Sequence, residues 1–105
     1  MNHFLVIGKA VETPEIYETS TGIKYTRLIL DANRPYKNRE GAYDVDRFCI
    51  TIWKNLAEEV CANIDSGDAL IVSGRIQSNN YEKDGEVRYH VDMIGDKVSL
   101  LSQLF

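Results

Sequence analysis

The sequence contains only two cysteines and two prolines in 105 residues, and it has no long apolar run. Its longest apolar segments, residues 4–7 and 69–72, have four residues each, whereas a membrane-spanning helix needs about 20. Residues 1–4 lack the basic and apolar stretches that open a secretory signal. These absences predict a cytoplasmic protein without a membrane segment.

Features of catalytic and metal sites are also scarce. Cys49 and Cys61 stand twelve positions apart, with no Cys-x-x-Cys spacing, which predicts two reduced thiols and no zinc site. His3 and His90 lie in separate strand patterns, and no third candidate metal ligand lies near them in the sequence. No glycine-rich phosphate loop and no nucleophile motif is present. We therefore expect no cofactor, no metal and no enzymatic activity.

One acidic pair leaves a metal alternative open. Asp44 and Asp46 stand two positions apart at the start of a strand pattern, where they would reach the same side of the chain. Two such carboxylates could hold a divalent ion, but carboxylates at the start of a strand more often face solvent. The solvated interpretation is the one we favour.

Segments rich in Val, Ile, Leu, Tyr and Thr recur along the chain between turn signals, and they predict strands. Apolar residues alternate with polar ones within them, so one face of each strand is expected in a core. Phe48, Ile50 and Ile52 form one such face. In another segment the inward set is Leu70, Val72, Gly74 and Ile76. The five predicted strands are residues 3–11, 23–33, 45–53, 69–79 and 86–94.

Residues 55–65 break this alternation and predict a short helix. Leu56, Val60 and Ile64 recur at helical spacing, and Asn55 is the expected N-cap. Three strands, one helix and two further strands form the order of an OB-fold. The sequence therefore predicts an all-β protein, a five-stranded Greek-key barrel with one short helix between strands 3 and 4, and a single domain over residues 1–105.

The formal net charge of −4 disfavours a polyanionic partner, but the charge is unevenly distributed. Residues 24–54 hold seven cations against four acids, whereas the rest of the chain holds five cations against twelve acids. A basic middle segment is typical of a surface that grips phosphates, although a solvated loop is the plain alternative for residues 34–39. The expected phosphate contacts are Lys24, Arg27, Arg34, Lys37, Arg39, Lys54 and Arg75.

Three aromatic residues accompany these cations on the expected outer surface. Tyr36 lies in the predicted loop after the second strand, and Trp53 alternates with Ile52, so its ring should point outward. Tyr81 continues the outward stripe of Arg75. Each ring could stack on a nucleic-acid base. The alternatives are a subunit interface for Trp53 and packing over its own hairpin for Tyr81.

Several motifs, in this order and spacing, resemble bacterial single-stranded DNA-binding proteins over almost the whole chain. They are residues 2–8 (NHFLVIG), 13–15 (TPE), 28–34 (LILDANR), 50–58 (ITIWKNLAE), 67–77 (GDALIVSGRIQ) and 80–85 (NYEKDG).

The resemblance implies an OB-fold that binds single-stranded DNA without marked sequence preference, as a homotetramer whose subunits pair through β-strands. It assigns base stacking to Tyr36, Trp53 and Tyr81. At a further position where an aromatic is usual this chain has Arg47, which would stack its guanidinium plane or grip phosphate. Typical members carry a disordered tail with an acidic tip. Because residues 100–105 lack such acids, we do not expect tail-mediated recruitment of repair proteins.

We therefore expect sequence-independent binding and protection of single-stranded DNA in replication, recombination or repair, by a cytoplasmic, nucleoid-associated protein. A tetramer is favoured over a dimer. One alternative is a dimeric primosomal replication-restart protein on the same fold. A second is an OB-fold that serves only as a protein-interaction subunit.

Overall fold

The computed structural model describes residues 1–104, so the terminal Phe105 lies outside the described residues. Five long strands form the body of the fold, and a helix and several short elements connect them. The long strands are β1 (Phe4–Ala10), β3 (Lys24–Lys37), β4 (Tyr43–Trp53), β5 (Ala69–Ser78) and β8 (Val91–Leu100). The other elements are β2 (Tyr17–Glu18), α1 (Lys54–Asn63), β6 (Tyr81–Lys83), β7 (Glu86–Arg88) and a 3₁₀ helix, η1 (Leu101–Gln103).

The five long strands close into a barrel. Neighbours follow the order β1, β5, β8, β4 and β3, and a short antiparallel pairing of β3 with β1 completes the circle. β4 and β8 run parallel, and the other pairs are antiparallel. With α1 between the third and fourth long strands, this arrangement confirms the predicted OB-fold.

Alternate residues of the strands fill the barrel, as the sequence pattern predicts. Among the described strand residues, six inward apolar side chains are fully buried: Leu28, Leu30, Ile50, Ile52, Leu70 and Val72. Ala57 and Val60 of α1 and the following Ile64 pack against this cluster, so the helix covers one end of the barrel. Within residues 1–104, no helix is long and apolar enough to cross a bilayer.

The extent of two predicted strands, the second and the fifth, is wrong. β3 continues to Lys37 rather than ending at residue 33, so Arg34 and Tyr36 lie on a strand and not in a loop. The pairing between β3 and β4 is irregular from Asn33 to Lys37, and this bulge accommodates Pro35, which cannot donate a ladder hydrogen bond.

The last barrel strand also differs from the prediction, because it spans Val91–Leu100 instead of residues 86–94. Asp84 and Gly85 both have positive φ, 53° and 77°, and they form a two-residue turn that folds β7 back on β6. Residues 86–88 are therefore used in this small hairpin.

Two local predictions are also corrected. α1 starts at Lys54 and has no side-chain cap, so Asn55 is not its N-cap. Ile76 is 44% exposed rather than buried, because β5 leaves the barrel after Gly74, its last buried residue. At Gly74 an added Cβ would stand 2.9 Å from the Cα of Gly95, so only glycine allows β5 and β8 to approach this closely.

Candidate nucleic-acid interface

The outer face of β3 and β4 carries the side chains that alternate with the core. Ile52 is fully buried, and the neighbouring Trp53 is 38% exposed, so the ring points outward as the alternation predicts. Tyr25 lies directly opposite Trp53 on β3, and it alternates with the buried Thr26. The barrel core thereby fixes two aromatic rings on the outside of the sheet.

A groove runs beside these rings, between β3 and β4 on one side and β5 and β8 on the other. It is open to solvent and has a volume of ≈ 580 Å³. Its lining combines aromatic, cationic and amide side chains with two threonines, one isoleucine and one carboxylate, that of Asp92. The lining residues are Thr19, Tyr25, Arg27, Thr51, Trp53, Arg75, Gln77, Asn79, Asp92 and Ile94. Of the residues predicted from the sequence, the groove brings together Arg27, Trp53 and Arg75.

The aromatic surface is larger than the sequence predicts. Tyr17 of β2 pairs with Tyr25, and their ring centroids are 5.6 Å apart. The centroids of Tyr25 and Trp53 are 5.2 Å apart. We call Tyr17, Tyr25 and Trp53 the aromatic row. The alternation of β3 places Tyr25 outward with Arg27, so the outward position of Tyr25 could have been predicted from the sequence. The strand that carries Tyr17 has only two residues, and no sequence pattern predicts its position.

Arg47, at the position where the resemblance implies an aromatic, is held in an ion pair. Its Nε donates to Asp31 Oδ1 at 2.8 Å, and its Nη2 donates to Oδ2 at 3.0 Å. Asp31 is the cross-strand partner of Arg47. The hydrogen bond from the guanidinium lowers the pKa of the Asp31 carboxyl below its ordinary value, so the carboxylate stays charged to a lower pH than that of a free aspartate. A phosphate would have to compete with this carboxylate for Arg47.

Arg34 is also held in an ion pair. It donates from Nε and Nη2 to the carboxylate of Asp46 at 3.0–3.2 Å, and its Nη1 lies 3.9 Å from Asp44. The hydrogen bonds to Asp46 raise the pKa of the guanidinium. The two carboxylates considered as a divalent-ion site therefore face Arg34, and Asp44 also accepts from Asn38 at 3.1 Å.

Lys24 and Lys54 lie on a different part of the surface. Both border a pocket beside the start of α1 rather than the groove. Lys24 Nζ is 2.8 Å from Glu58 Oε1, and the hydrogen bond to Glu58 raises the pKa of the lysine. Although Lys54 follows Trp53 in the chain, its positive φ of 60° turns the backbone away from the strand.

The remaining predicted residues lie on two projecting hairpins outside the groove. At the end of the β3–β4 hairpin Tyr36 is exposed, and Lys37 Nζ lies 5.9 Å from the ring centroid of Tyr43, a contact that the sequence did not reveal. Arg39 is exposed in the turn that joins β3 to β4. Tyr81 starts the β6–β7 hairpin, where it is also exposed.

Charge pairing separates the predicted cations into two groups. Lys24, Arg34 and Arg47 each have a carboxylate partner. Among residues 1–104, Arg27, Lys37, Arg39, Lys54 and Arg75 form no ion pair; Arg75 instead donates to the neutral amide of Gln77 at 2.7 Å. Two of these unpaired cations, Arg27 and Arg75, line the groove beside the aromatic row.

The sequence of the chain is similar to those of known proteins over almost its whole length. The chain is 31% identical over 100 residues to single-stranded DNA-binding protein 1 of Streptococcus pyogenes, covering 95% of this chain and 76% of that protein. The chain is also 31% identical over 102 residues to single-stranded DNA-binding protein 3 of Listeria innocua. That match covers 96% of this chain and only 64% of the relative.

A crystal structure of a small single-stranded DNA-binding protein from Streptomyces coelicolor has the same fold. It matches with a TM-score of 0.69 and 21% sequence identity, over 96% of this chain and 95% of that one. The model of the single-strand binding protein family matches residues 1–101. The chain therefore belongs to the single-strand binding protein family.

Proposed function

We propose that the protein binds and protects single-stranded DNA without marked sequence preference, in replication, recombination or repair, and that it performs no catalysis. The observation that carries this proposal is the groove in which Trp53 and Tyr25 lie beside Arg27 and Arg75. Aromatic faces stack on any base, and unpaired cations neutralise the backbone. The names of the relatives support the same function.

The proposed contacts divide by chemistry. Trp53 stacks on a base in the groove, and Tyr36 and Tyr81 do so on the two hairpins. Phosphates contact the cations that have no carboxylate partner within residues 1–104: Arg27, Lys37, Arg39, Lys54 and Arg75. Lys24, Arg34 and Arg47 contribute less, because a phosphate must first displace a carboxylate.

We further propose that the protein acts as a homo-oligomer, a tetramer in preference to a dimer. Leu5 and Ile7 point outward from β1 and are 61% and 54% exposed, so two apolar side chains lie next to each other on one strand face. Association of such faces between copies removes apolar surface from water. Native mass spectrometry distinguishes four copies from the two copies of a primosomal-type protein.

A titration with oligo-dT tests the DNA proposal. Stacking should quench the fluorescence of Trp53, the only tryptophan in the chain. The binding constant should fall with salt by about 0.7 log units per log unit of salt for each phosphate neutralised. Absence of binding at low salt would contradict the proposal and favour the protein-interaction subunit. If it does bind DNA, we expect the protein at the nucleoid in the cytoplasm.

A further inference from the structure

The aromatic row extends beyond the ring that the proposed function uses for stacking in the groove. Tyr25 lines the groove beside Trp53, and Tyr17 follows on the far side. The planes of neighbouring rings are tilted by 33° and 40°, so the three rings do not form one closed stack. Trp53 and Tyr17 are 38% and 46% exposed. Tyr25 between them is half-buried, and the surface that it offers to a ligand is the part that lines the groove.

The cations near the row favour a nucleic acid as that ligand. Arg27 lies two positions after Tyr25, on the same face of β3, and it lines both the main groove and a second groove that Tyr17 borders. Within residues 1–104 Arg27 has no carboxylate partner, unlike Arg34 and Arg47 on the β3–β4 sheet. A free guanidinium next to an aromatic face matches one base and its adjacent phosphate.

The far end of the row has the opposite charge. The groove beside Tyr17 is lined by Glu12 and Glu15 as well as Arg27. Two carboxylates repel a phosphate backbone, so a strand that crosses the row would turn away here. The binding path would therefore end near Tyr17, which makes Tyr25 the last complete stacking position.

We propose that Tyr25 is an additional base-stacking position of the single-stranded DNA site and that Arg27 holds the phosphate next to that base. The strand then passes from the main groove over Trp53 and onto Tyr25, across β4 and β3. This inference rests on the proposed function, because it adds a position to the same site.

Fluorescence anisotropy of labelled oligo-dT tests the inference with two matched variants. Tyr25→Leu keeps an apolar side chain but removes the ring, and it should weaken binding by roughly fivefold to 150-fold, the equivalent of about 1–3 kcal/mol per stacked base. Tyr25→Phe keeps the ring and should bind like the wild type. Arg27→Gln should lower the salt dependence by about 0.7, while Tyr25→Leu leaves it unchanged.

A purely structural role for Tyr25 makes a different prediction. If the ring only holds Trp53 in place, Tyr25→Leu should have no further effect in a Trp53→Leu background, and this result would overturn the inference. Stacking at Tyr25 predicts a further loss of affinity in that background. Equal affinity of the wild type and Tyr25→Leu would overturn the inference too, while leaving the proposed function intact. Failure of the wild type to bind would instead contradict the proposed function itself.

If Tyr25→Leu is unstable, a measurement on protein that keeps the Tyr25 ring replaces it. Protein labelled with 3-fluorotyrosine gives a ¹⁹F signal for Tyr25, assigned by its loss in Tyr25→Phe. Oligo-dT should shift this signal. A signal that stays in place while Trp53 fluorescence is quenched would overturn the inference.

Discussion

The ion pair between Arg47 and Asp31 makes a specific prediction about DNA affinity. Asp31→Asn keeps the size and shape of the side chain but removes the charge that holds the guanidinium at 2.8 and 3.0 Å. Arg47 lies on the outer face of β4, in line with Trp53. Freed from the carboxylate, it becomes available to a phosphate, and we expect DNA binding to become tighter.

The size of the effect follows from counterion release. One added phosphate contact on a single strand steepens the salt dependence by about 0.7, which corresponds to an affinity gain of about fivefold at roughly 0.1 M salt. The gain should shrink as salt rises, because the released counterions are then less dilute. Anisotropy titrations of labelled oligo-dT over a series of salt concentrations measure both the slope and the affinity.

Glu59→Gln is the matched control. It removes the same charge from an exposed position on α1, and within residues 1–104 Glu59 forms no ion pair. We expect little change in the salt slope for this variant. If Asp31→Asn leaves the slope unchanged, or if both variants tighten binding equally, the argument that Asp31 masks Arg47 is wrong.

Three further predictions address the site, acid stability and the barrel. Trp53→Ala should cost about 1–3 kcal/mol of oligo-dT binding, measured by anisotropy, while native mass spectrometry shows an unchanged assembly; loss of assembly with intact binding would place Trp53 in an interface. The ion pair of Asp31 lowers the pKa of its carboxyl, so it stabilises the fold fully above the ordinary carboxyl pKa of 3.8, and this stabilisation is lost as pH falls through the lowered pKa. Asp31→Asn should therefore weaken the loss of stability at acid pH, measured as the urea midpoint at a series of pH values. The same acid dependence in the variant and the wild type would refute this. Gly74→Ala should destabilise the barrel by about 1–3 kcal/mol in urea unfolding, because the added methyl meets the β8 backbone. Ser78→Ala, at the end of β5, is the control and should leave the urea midpoint unchanged. An unchanged midpoint for Gly74→Ala would contradict the close approach of β5 and β8.

The sequence predicted the fold because its local signals agree with one another. Alternation in 45–53 placed Ile50 and Ile52 inward, and the structure buries both fully. The helical spacing of Leu56, Val60 and Ile64 separated α1 from the strands. In contrast, the end of β3 depends on a bulge around Pro35, and a bulge is set by pairing with another strand, which local pattern does not specify.

The site was harder to predict because its electrostatics depend on register. Asp31 and Arg47 are 16 positions apart, and a charge count treats them as separate groups. Only the pairing of β3 with β4 reveals that they neutralise each other. Tyr17 joins the aromatic row through a strand of two residues, which is too short to produce an alternating pattern.

The closure of the barrel also has a consequence for protein synthesis. β1, made first, pairs with β5, and β5 and β4 both pair with β8, which is made last of the long strands. Arg75 on one wall of the groove is paired with Ile94 of β8, so that wall forms only after residues 91–100 have left the ribosome. Barrels with such distant pairings fold slowly. We therefore expect a nascent chain whose residues 91–100 are still inside the ribosome to lack the groove, and such a chain could not occupy DNA through it.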